Sequence, residues 1–192
     1  MIDEPRVVAI TGSQRDGSHT ATAVEIALDR ARHAGAETDH VDLATLDLPL
    51  FDPDAPDAGD AAELRERVGA ADAVLLATPM YHGSVASPLK TALDYCGFDE
   101  FEGSTVGLLA VAGGAFPTAA LDHLRTVARA LDAWVLPHQA AVPDSHAAFA
   151  DGELNDPDLR ARIETLGSEL VRYAGVASYP AGTEPATPAA GD

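Results

Sequence analysis

The sequence contains one cysteine, one lysine and no long apolar run. Cys96 cannot form an internal disulfide, and the opening residues MIDEPR lack the basic-then-apolar order of a secretory signal. We therefore expect a cytoplasmic protein. No stretch approaches eighteen uninterrupted apolar residues, which argues against a membrane-spanning helix. The histidines show no ligand spacing such as H-x-x-x-H, so we predict no metal site.

Basic residues are also scarce. The chain has 31 acidic and 12 basic residues, giving a formal net charge of −19, and Lys90 is its only lysine. Such a surface repels nucleic acid and anionic membranes, so we expect neither as a partner. An acidic shell of this kind is typical of halophilic proteins. Unfolding at low salt would support that hypothesis about habitat, and unchanged stability up to molar salt would contradict it.

Apolar runs typical of buried strands alternate with helical patterns along the chain. We predict strands at 6–12, 37–43, 72–79, 104–114 and 133–143, the last an edge strand interrupted by Pro137, and helices at 21–35, 61–71, 87–98, 117–132 and 156–175, the last with Asp156 as N-cap. Residues 44–60 form a loop. The Pro/Ala/Gly-rich residues 176–192 are predicted to be disordered, which leaves one domain over 1–175.

Continuous apolar strands separated by helices indicate an α/β fold, with a parallel sheet covered by helices on both faces. Ligands of such sheets bind beyond the carboxyl ends of the strands. Three unusual loops, TGSQRDGSHT (11–20), TPMYHGSVASP (78–88) and AGGAFPT (112–118), each follow a predicted strand. We therefore expect all three loops at one edge of the sheet.

The first loop combines hydroxyls, glycines and one positive charge before a predicted helix. Free N–H groups at a helix start attract phosphate, and Ser13, Ser18 and Thr20 add hydroxyls while Arg15 adds a guanidinium. The spacing from Gly12 to Gly17 fits neither a P-loop nor G-x-G-x-x-G. This pattern favours a monophosphate site. A simple N-capped turn, in which Ser18 or Thr20 starts the helix, is the alternative.

The second loop places Tyr81 and His82 directly after a buried strand. Pro79 stiffens the strand exit, and Gly83 permits a tight turn. A flat heteroaromatic ligand could lie against this segment and bind its main chain. Alternatively, His82 is a solvent-facing loop residue and Tyr81 a packing residue.

Three motifs in this order resemble the NADPH-dependent FMN reductase family of flavodoxin-like proteins. They are G-S-x-R-x-G-S-x-T, then T-P-M-Y-H-G-S-V-A-S-P-L-K-T-A-L-D-Y, then A-G-G before a helix. The resemblance covers roughly residues 5 to 175. It implies a three-layer sandwich with a five-stranded parallel sheet in the order 2-1-3-4-5. It also implies FMN as cofactor, NADPH or NADH as hydride donor, small redox acceptors (flavins, quinones, azo compounds or metal oxyanions), and a homodimer or homotetramer.

The resemblance also implies roles for residues of all three loops. The FMN phosphate would be held by Ser13, Gln14, Arg15, Ser18, His19 and Thr20; the isoalloxazine and ribityl would be contacted mainly by the backbone of Pro79, Met80, Tyr81, His82 and Gly83; and the pyrimidine end of the ring would be contacted by Ala112, Gly113 and Gly114. His82 is the only nearby candidate for protonating a reduced quinone. No acid–base side chain is strictly required, because the flavin carries the redox chemistry.

Two other functions share these motifs or this fold. A flavodoxin-type electron carrier would use the same phosphate site without turning over a nicotinamide nucleotide. A receiver-type regulatory domain would need paired acidic residues after the first strand to hold magnesium, and TGSQR has none. Steady-state oxidation of NADPH by the FMN-loaded protein separates the enzyme from the carrier.

Overall fold

A computed structural model describes residues 3–175. Its strands are β1 (Arg6–Thr11), β2 (Glu37–Asp42), β3 (Ala73–Tyr81), β4 (Ser84–Val85), β5 (Thr105–Val111), β6 (Trp134–Val142), β7 (Phe149–Ala150) and β8 (Glu153–Leu154). Its helices are α1 (His19–His33), α2 (Ala61–Gly69), α3 (Ser87–Tyr95), α4 (Phe98–Phe101), α5 (Thr118–Ala130), α6 (Ser145–Ala148) and α7 (Pro157–Arg172). The segment predicted to be disordered, 176–192, lies outside the described residues.

The central sheet has the strand order β2-β1-β3-β5-β6, and all four pairings along it are parallel. This confirms the predicted order 2-1-3-4-5. The sheet also contains a sixth strand that the sequence analysis missed, because the two-residue β4 pairs antiparallel with the end of β3.

The predicted position of β6 at the edge of the sheet is also confirmed. Its pairing register shifts between Val106 and Leu108, opposite the segment that contains Pro137, which has no N–H to donate.

Alternate residues of each strand enter two separate cores, which explains the continuous apolar runs. Val7 and Ala9 of β1 pack into one core with α1 and α7, whereas Val8 and Ile10 pack into the other with α2, α3 and α5. The sheet is thus the middle layer of three, as expected for a flavodoxin-like sandwich. No helix among residues 3–175 is both long and apolar enough to cross a bilayer.

The helices α1 and α7 approach each other closely at Gly167. A Cβ atom at this position would overlap the backbone carbonyl oxygen of Ala27. Asp156 caps α7 as predicted, since its Oδ1 accepts hydrogen bonds from the N–H groups of Asp158 and Leu159, both at 3.0 Å. The amino-terminal and carboxyl-terminal helices therefore form one tightly packed layer.

Candidate active site

The three unusual loops meet in one cleft of about 300 Å³ at the carboxyl ends of β1, β3 and β5. This volume is at the lower end of the range for ligand pockets. The cleft is lined by Ser13, Arg15, Ser18, His19, Thr20, Pro79, Met80, Tyr81, Val111, Gly113, Ser145 and His146. The structure thus brings residues of all three loops together, as the strand-end rule predicts.

The first loop ends in a capped helix start that leaves donors free. Ser18 Oγ accepts a hydrogen bond from the N–H of Ala21 at 3.2 Å, so Ser18 is the N-cap of α1. The N–H groups of Gly17, His19 and Thr20 donate no hydrogen bond to any residue between 3 and 175. The N-capped turn therefore exists, and it presents the unpaired N–H groups and positive helix end that attract an anion.

Side chains of the same loop add hydroxyls and a charge. Ser13 and Thr20 are buried, at 5% and 2% exposure, yet the Thr20 hydroxyl has no partner within the described residues. The Arg15 guanidinium makes neither an ion pair nor a hydrogen bond with residues 3–175. An unpaired arginine is unexpected in so acidic a chain, and here it lies beside the free N–H groups.

Close packing fixes the start of this loop. The N–H of Gly12 donates to the carbonyl of Ala77 at 2.9 Å, and a Cβ atom at position 12 would lie 2.6 Å from Cβ of Leu89 in α3. Only glycine fits between β3 and α3 at this position. The phosphate loop therefore has a defined position relative to the second loop.

The second loop is a tight β-hairpin. Tyr81 pairs with Ser84, and the two residues between them, His82 and Gly83, have φ angles of 51° and 79°. Positive φ at both central positions is the requirement of a type I′ turn. Pro79, Met80 and Tyr81 line the cleft, with Tyr81 57% exposed, whereas His82 and Gly83 form the hairpin tip and are not among the lining residues.

The third loop turns its backbone to the cleft. Gly113 lines it, and the N–H groups of Gly113 and Gly114 have no acceptor among residues 3–175. Ala112 is buried, and its N–H donates to Val142 at 2.9 Å. The N–H of Gly113 is thus available to a ligand in the cleft, and the N–H of the adjacent Gly114 is also unpaired within the described residues.

Comparison with known proteins identifies this combination of loops and fold. The model of the family described as NADPH-dependent FMN reductase matches residues 5–147. The chain belongs to this family. Membership confirms the function class predicted from the sequence, an FMN-dependent NAD(P)H oxidoreductase.

Relatives and solved structures agree with the family. The FMN-dependent NADPH-azoreductase of Staphylococcus aureus (strain USA300) is 32% identical over 179 residues, covering 88% of this chain and 95% of that protein. The apo form of the NADH:FMN oxidoreductase EMOB superposes with a TM-score of 0.71 at 23% identity, covering 88% of this chain and 90% of that one. FerB from Paracoccus denitrificans, a NAD(P)H:(acceptor) oxidoreductase, superposes with a TM-score of 0.72 at 20% identity, covering 90% and 100%. These structures show the flavodoxin-like fold.

The cleft of this family member fits FMN chemically. Its first loop offers unpaired N–H groups, the free Thr20 hydroxyl and the free Arg15 guanidinium, the donor set that a terminal phosphate requires. Its third loop offers two unpaired glycine N–H groups next to exposed Tyr81, which suits the polar edge of a flat ring. The donors of the cleft thus match the chemistry of both ends of the cofactor.

Five predicted contact residues, among them the buried Ala112, are not among the residues that line the cleft. Besides His82 and Gly83, the Gln14 side chain donates its Nε2–H to the carbonyl of Leu43 at 2.9 Å and lines a neighbouring cleft. Gly114 is absent from the lining, although its carbonyl accepts a hydrogen bond from Asp144 at 3.1 Å. The assigned roles of all the contact residues remain predictions.

Sequence reasoning missed Ser145 and His146 of α6, which also line the cleft. They follow β6, whose carboxyl end lies at the same edge of the sheet as the three loops. Applying the strand-end rule to this fifth strand would have directed attention to residues 143–148.

His19 lies in the cleft, near Arg15 of the first loop and His146 of α6. Burial, the positive charge of Arg15 and the neighbouring His146 together lower the pKa of His19. Its ring stacks on Phe149, with centroids 4.3 Å apart and planes at 5°. Arg15 therefore supplies positive charge at this end of the cleft, within a strongly acidic protein.

Proposed function

We propose that this family member transfers hydride from NADPH or NADH to flat conjugated acceptors, namely quinones, azo compounds or free flavins. The observation that carries the proposal is one cleft with a cationic, N–H-rich end and an end beside an exposed tyrosine ring. The Staphylococcus aureus relative, an azoreductase by name, supports an acceptor of this class.

At the phosphate end, the chain would bind and orient the cofactor. Arg15 would form charge-assisted hydrogen bonds to phosphate oxygens, and the N–H groups of Gly17, His19 and Thr20 would donate at the positive end of α1. Ser13 and Ser18 keep hydroxyl protons to donate, because in the structure their oxygens accept hydrogen bonds. These contacts hold the reactive ring at a fixed place.

At the ring end, the chain would supply polar contacts and leave one side open. FMN, when bound, supplies the two-electron chemistry that links a hydride donor to an acceptor. The N–H groups of Gly113 and Gly114 would stabilise negative charge on the pyrimidine end of the ring, because their dipoles are fixed before any ligand binds. Tyr81 would offer an aromatic surface beside the space for donor and acceptor.

His82 is the candidate proton donor for reduced quinones. His82 lies at the hairpin tip with positive φ, a conformation that Asn tolerates well. A His82→Asn variant therefore keeps the turn and removes the titrating ring. If His82 donates the proton, quinone reduction by the variant slows while reduction of the bound flavin by NADPH is unchanged.

The test of the function is an absorption spectrum of the purified, FMN-loaded protein during anaerobic addition of NADPH or NADH. We expect the bands of oxidised flavin to disappear, and steady-state turnover with a quinone, an azo dye and free FMN. Bound flavin that neither nucleotide reduces would contradict the proposal and favour the flavodoxin-type electron carrier.

We also propose that the protein is a homodimer or homotetramer in the cytoplasm. Of the aromatic residues from the end of α3 onward, Tyr95 and Phe101 are core residues, whereas Phe98 is 56% exposed and available to a subunit contact. Light scattering on the protein as it elutes from a size-exclusion column measures the oligomeric state. A monomer at micromolar concentration would contradict this part of the proposal.

A further inference from the structure

Two histidines face each other at the phosphate end of the cleft. His19 comes from the start of α1 and His146 from α6, and their ring centroids lie 6.2 Å apart at an interplanar angle of 70°. Both residues line the cleft. The separation leaves room for an anionic oxygen that both rings could bind.

Each ring is held in place by its surroundings. His19 stacks flat on Phe149, which is 5% exposed. The segment bearing His146 is tied to the third loop, because the N–H of Ser145 donates to Ala112 at 2.9 Å and that of Asp144 donates to Gly114 at 3.1 Å. Nε2 of His146 would lie 3.5 Å from a Cβ atom placed on Gly113. The pair is therefore preorganised around the cleft.

Neither ring has a polar partner within residues 3–175. In contrast, the rings of His33, His40, His123 and His138 all make hydrogen bonds with neighbouring residues. His82, at the hairpin tip, lies away from the cleft. The free imidazole nitrogens are thus concentrated where the phosphate would bind.

The charged groups on the surrounding segments define how this pair responds to protons. The loop before α1 carries Arg15 and Asp16, the turn before α6 carries Asp144, and the turn between β7 and β8 carries Asp151. None of these three carboxylates forms an ion pair with either ring. Burial and then the positive charge of Arg15 lower the pKa of His19, whereas a bound phosphate would raise it.

We propose that His19 and His146 form a protonatable clamp for the FMN phosphate, so that FMN binding takes up protons near neutral pH. The inference rests on the proposed FMN site and adds His146 and proton coupling to it. By linkage, binding is tightest below the pKa of His19 in the free protein and weakens as the pH rises through its pKa in the complex.

The experiment is isothermal titration of the apoprotein with FMN at pH 7.5 in two buffers of different ionisation enthalpy. The difference between the observed enthalpies gives the number of protons taken up per FMN bound. We expect net uptake by the natural sequence, less uptake by His19→Gln and His146→Gln, and FMN affinity that falls about tenfold between pH 6.5 and 8.5 only in the natural sequence.

Two controls separate this inference from other effects. Riboflavin, which lacks the phosphate, should bind without proton uptake. His33→Gln removes an exposed histidine from the same helix and should leave uptake unchanged.

The outcomes distinguish the two proposals. If the natural sequence binds no FMN, the proposed function fails. If it binds FMN without proton uptake, or if both cleft variants take up as many protons as the natural sequence, only the histidine clamp is overturned. The natural-sequence measurement with FMN and riboflavin tests the clamp even if a variant folds poorly.

Discussion

Arg67 and Arg15 show two uses of the same side chain in one acidic protein. Arg67 of α2 donates to both carboxylate oxygens of Asp39 at 3.0 and 2.6 Å, to the carbonyl of His40 at 2.9 Å, and to Glu63 at 3.2 Å. Arg15 has no such partner within the described chain. Although the chain has 31 acidic residues, Arg15 has no ion pair among the described residues, and it lines the ligand cleft.

The pKa values of Asp39 and Arg67 are shifted by the ion pair between them. Hydrogen bonds from Arg67, and then the positive charges of Arg67 and Arg6, lower the pKa of Asp39, although burial opposes the shift. The hydrogen bond to Asp39 in turn raises the pKa of Arg67. The comparison shows that the charge of Arg67 is paired within the fold, whereas the charge of Arg15 is unpaired within the described residues and lines the cleft.

The largest effect expected is on folding. Arg67→Met should lower the free energy of unfolding by about 2–3 kcal/mol, because it leaves the partly buried Asp39 carboxylate with only a distant contact to Arg6. Urea denaturation of the apoprotein measures the loss. FMN affinity of the folded variant should be unchanged, and a parallel loss of affinity would show that the two regions are not independent.

Arg15→Met should have the reverse pattern. We expect the Kd for FMN to rise about 10- to 30-fold, from the loss of one charge-assisted contact of about 1.4–2 kcal/mol, with unfolding changed by less than about 0.5 kcal/mol. Fluorescence quenching of FMN measures the affinity. Arg129→Met is the matched control, because Arg129 is exposed and also unpaired among residues 3–175 but lies at the end of α5. An equal effect of both substitutions would contradict a specific role for Arg15.

The decrease in the free energy of unfolding at acid pH should depend on Asp39. Its folded-state pKa is lowered, so its contribution is present above the unfolded-state pKa and is lost as the pH falls through the folded-state value. The pH dependence of unfolding below about pH 4 should therefore be shallower in Asp39→Asn. Asp16→Asn, in the cleft loop, serves as control and should leave the slope unchanged.

The smallest effect concerns Cys96. Burial raises the pKa of its thiol to about 12, and the side chain is nearly inaccessible. Reaction with a disulfide reagent at pH 8 should be slow in the natural sequence and equally slow in Arg15→Met. Faster reaction in that variant would show that the cleft loop also supports the core.

The sheet could be predicted from sequence because strands such as Val7–Ile10 are buried on both faces and read as continuous apolar runs. The hairpin strand β4 was missed, since His-Gly gives a weaker turn signal than Asn-Gly. The short α4, α6 and β7–β8 have too few residues for periodicity to reveal them.

The sequence could not predict which way the side chains of the cleft loops point. Gln14 belongs to the phosphate motif, yet its amide turns to the carbonyl of Leu43, a contact that exists only once β1 and β2 are paired. His146 belongs to no motif and reaches the cleft through backbone contacts of its neighbours with the third loop. Both outcomes depend on tertiary contacts that no local pattern encodes.

The close approach at Gly167 has a consequence for the whole cofactor cleft. Residues 5–147 match the family, so α7 lies beyond the matched region, yet its backbone touches that of α1 at Ala27. Ala27 lies only about 12 Å along α1 from the turn that would meet the phosphate. Any larger side chain at position 167 must therefore push α1 and α7 apart at this crossing. Cofactor retention could thus be tuned from a distant crossing point without altering a single cofactor contact.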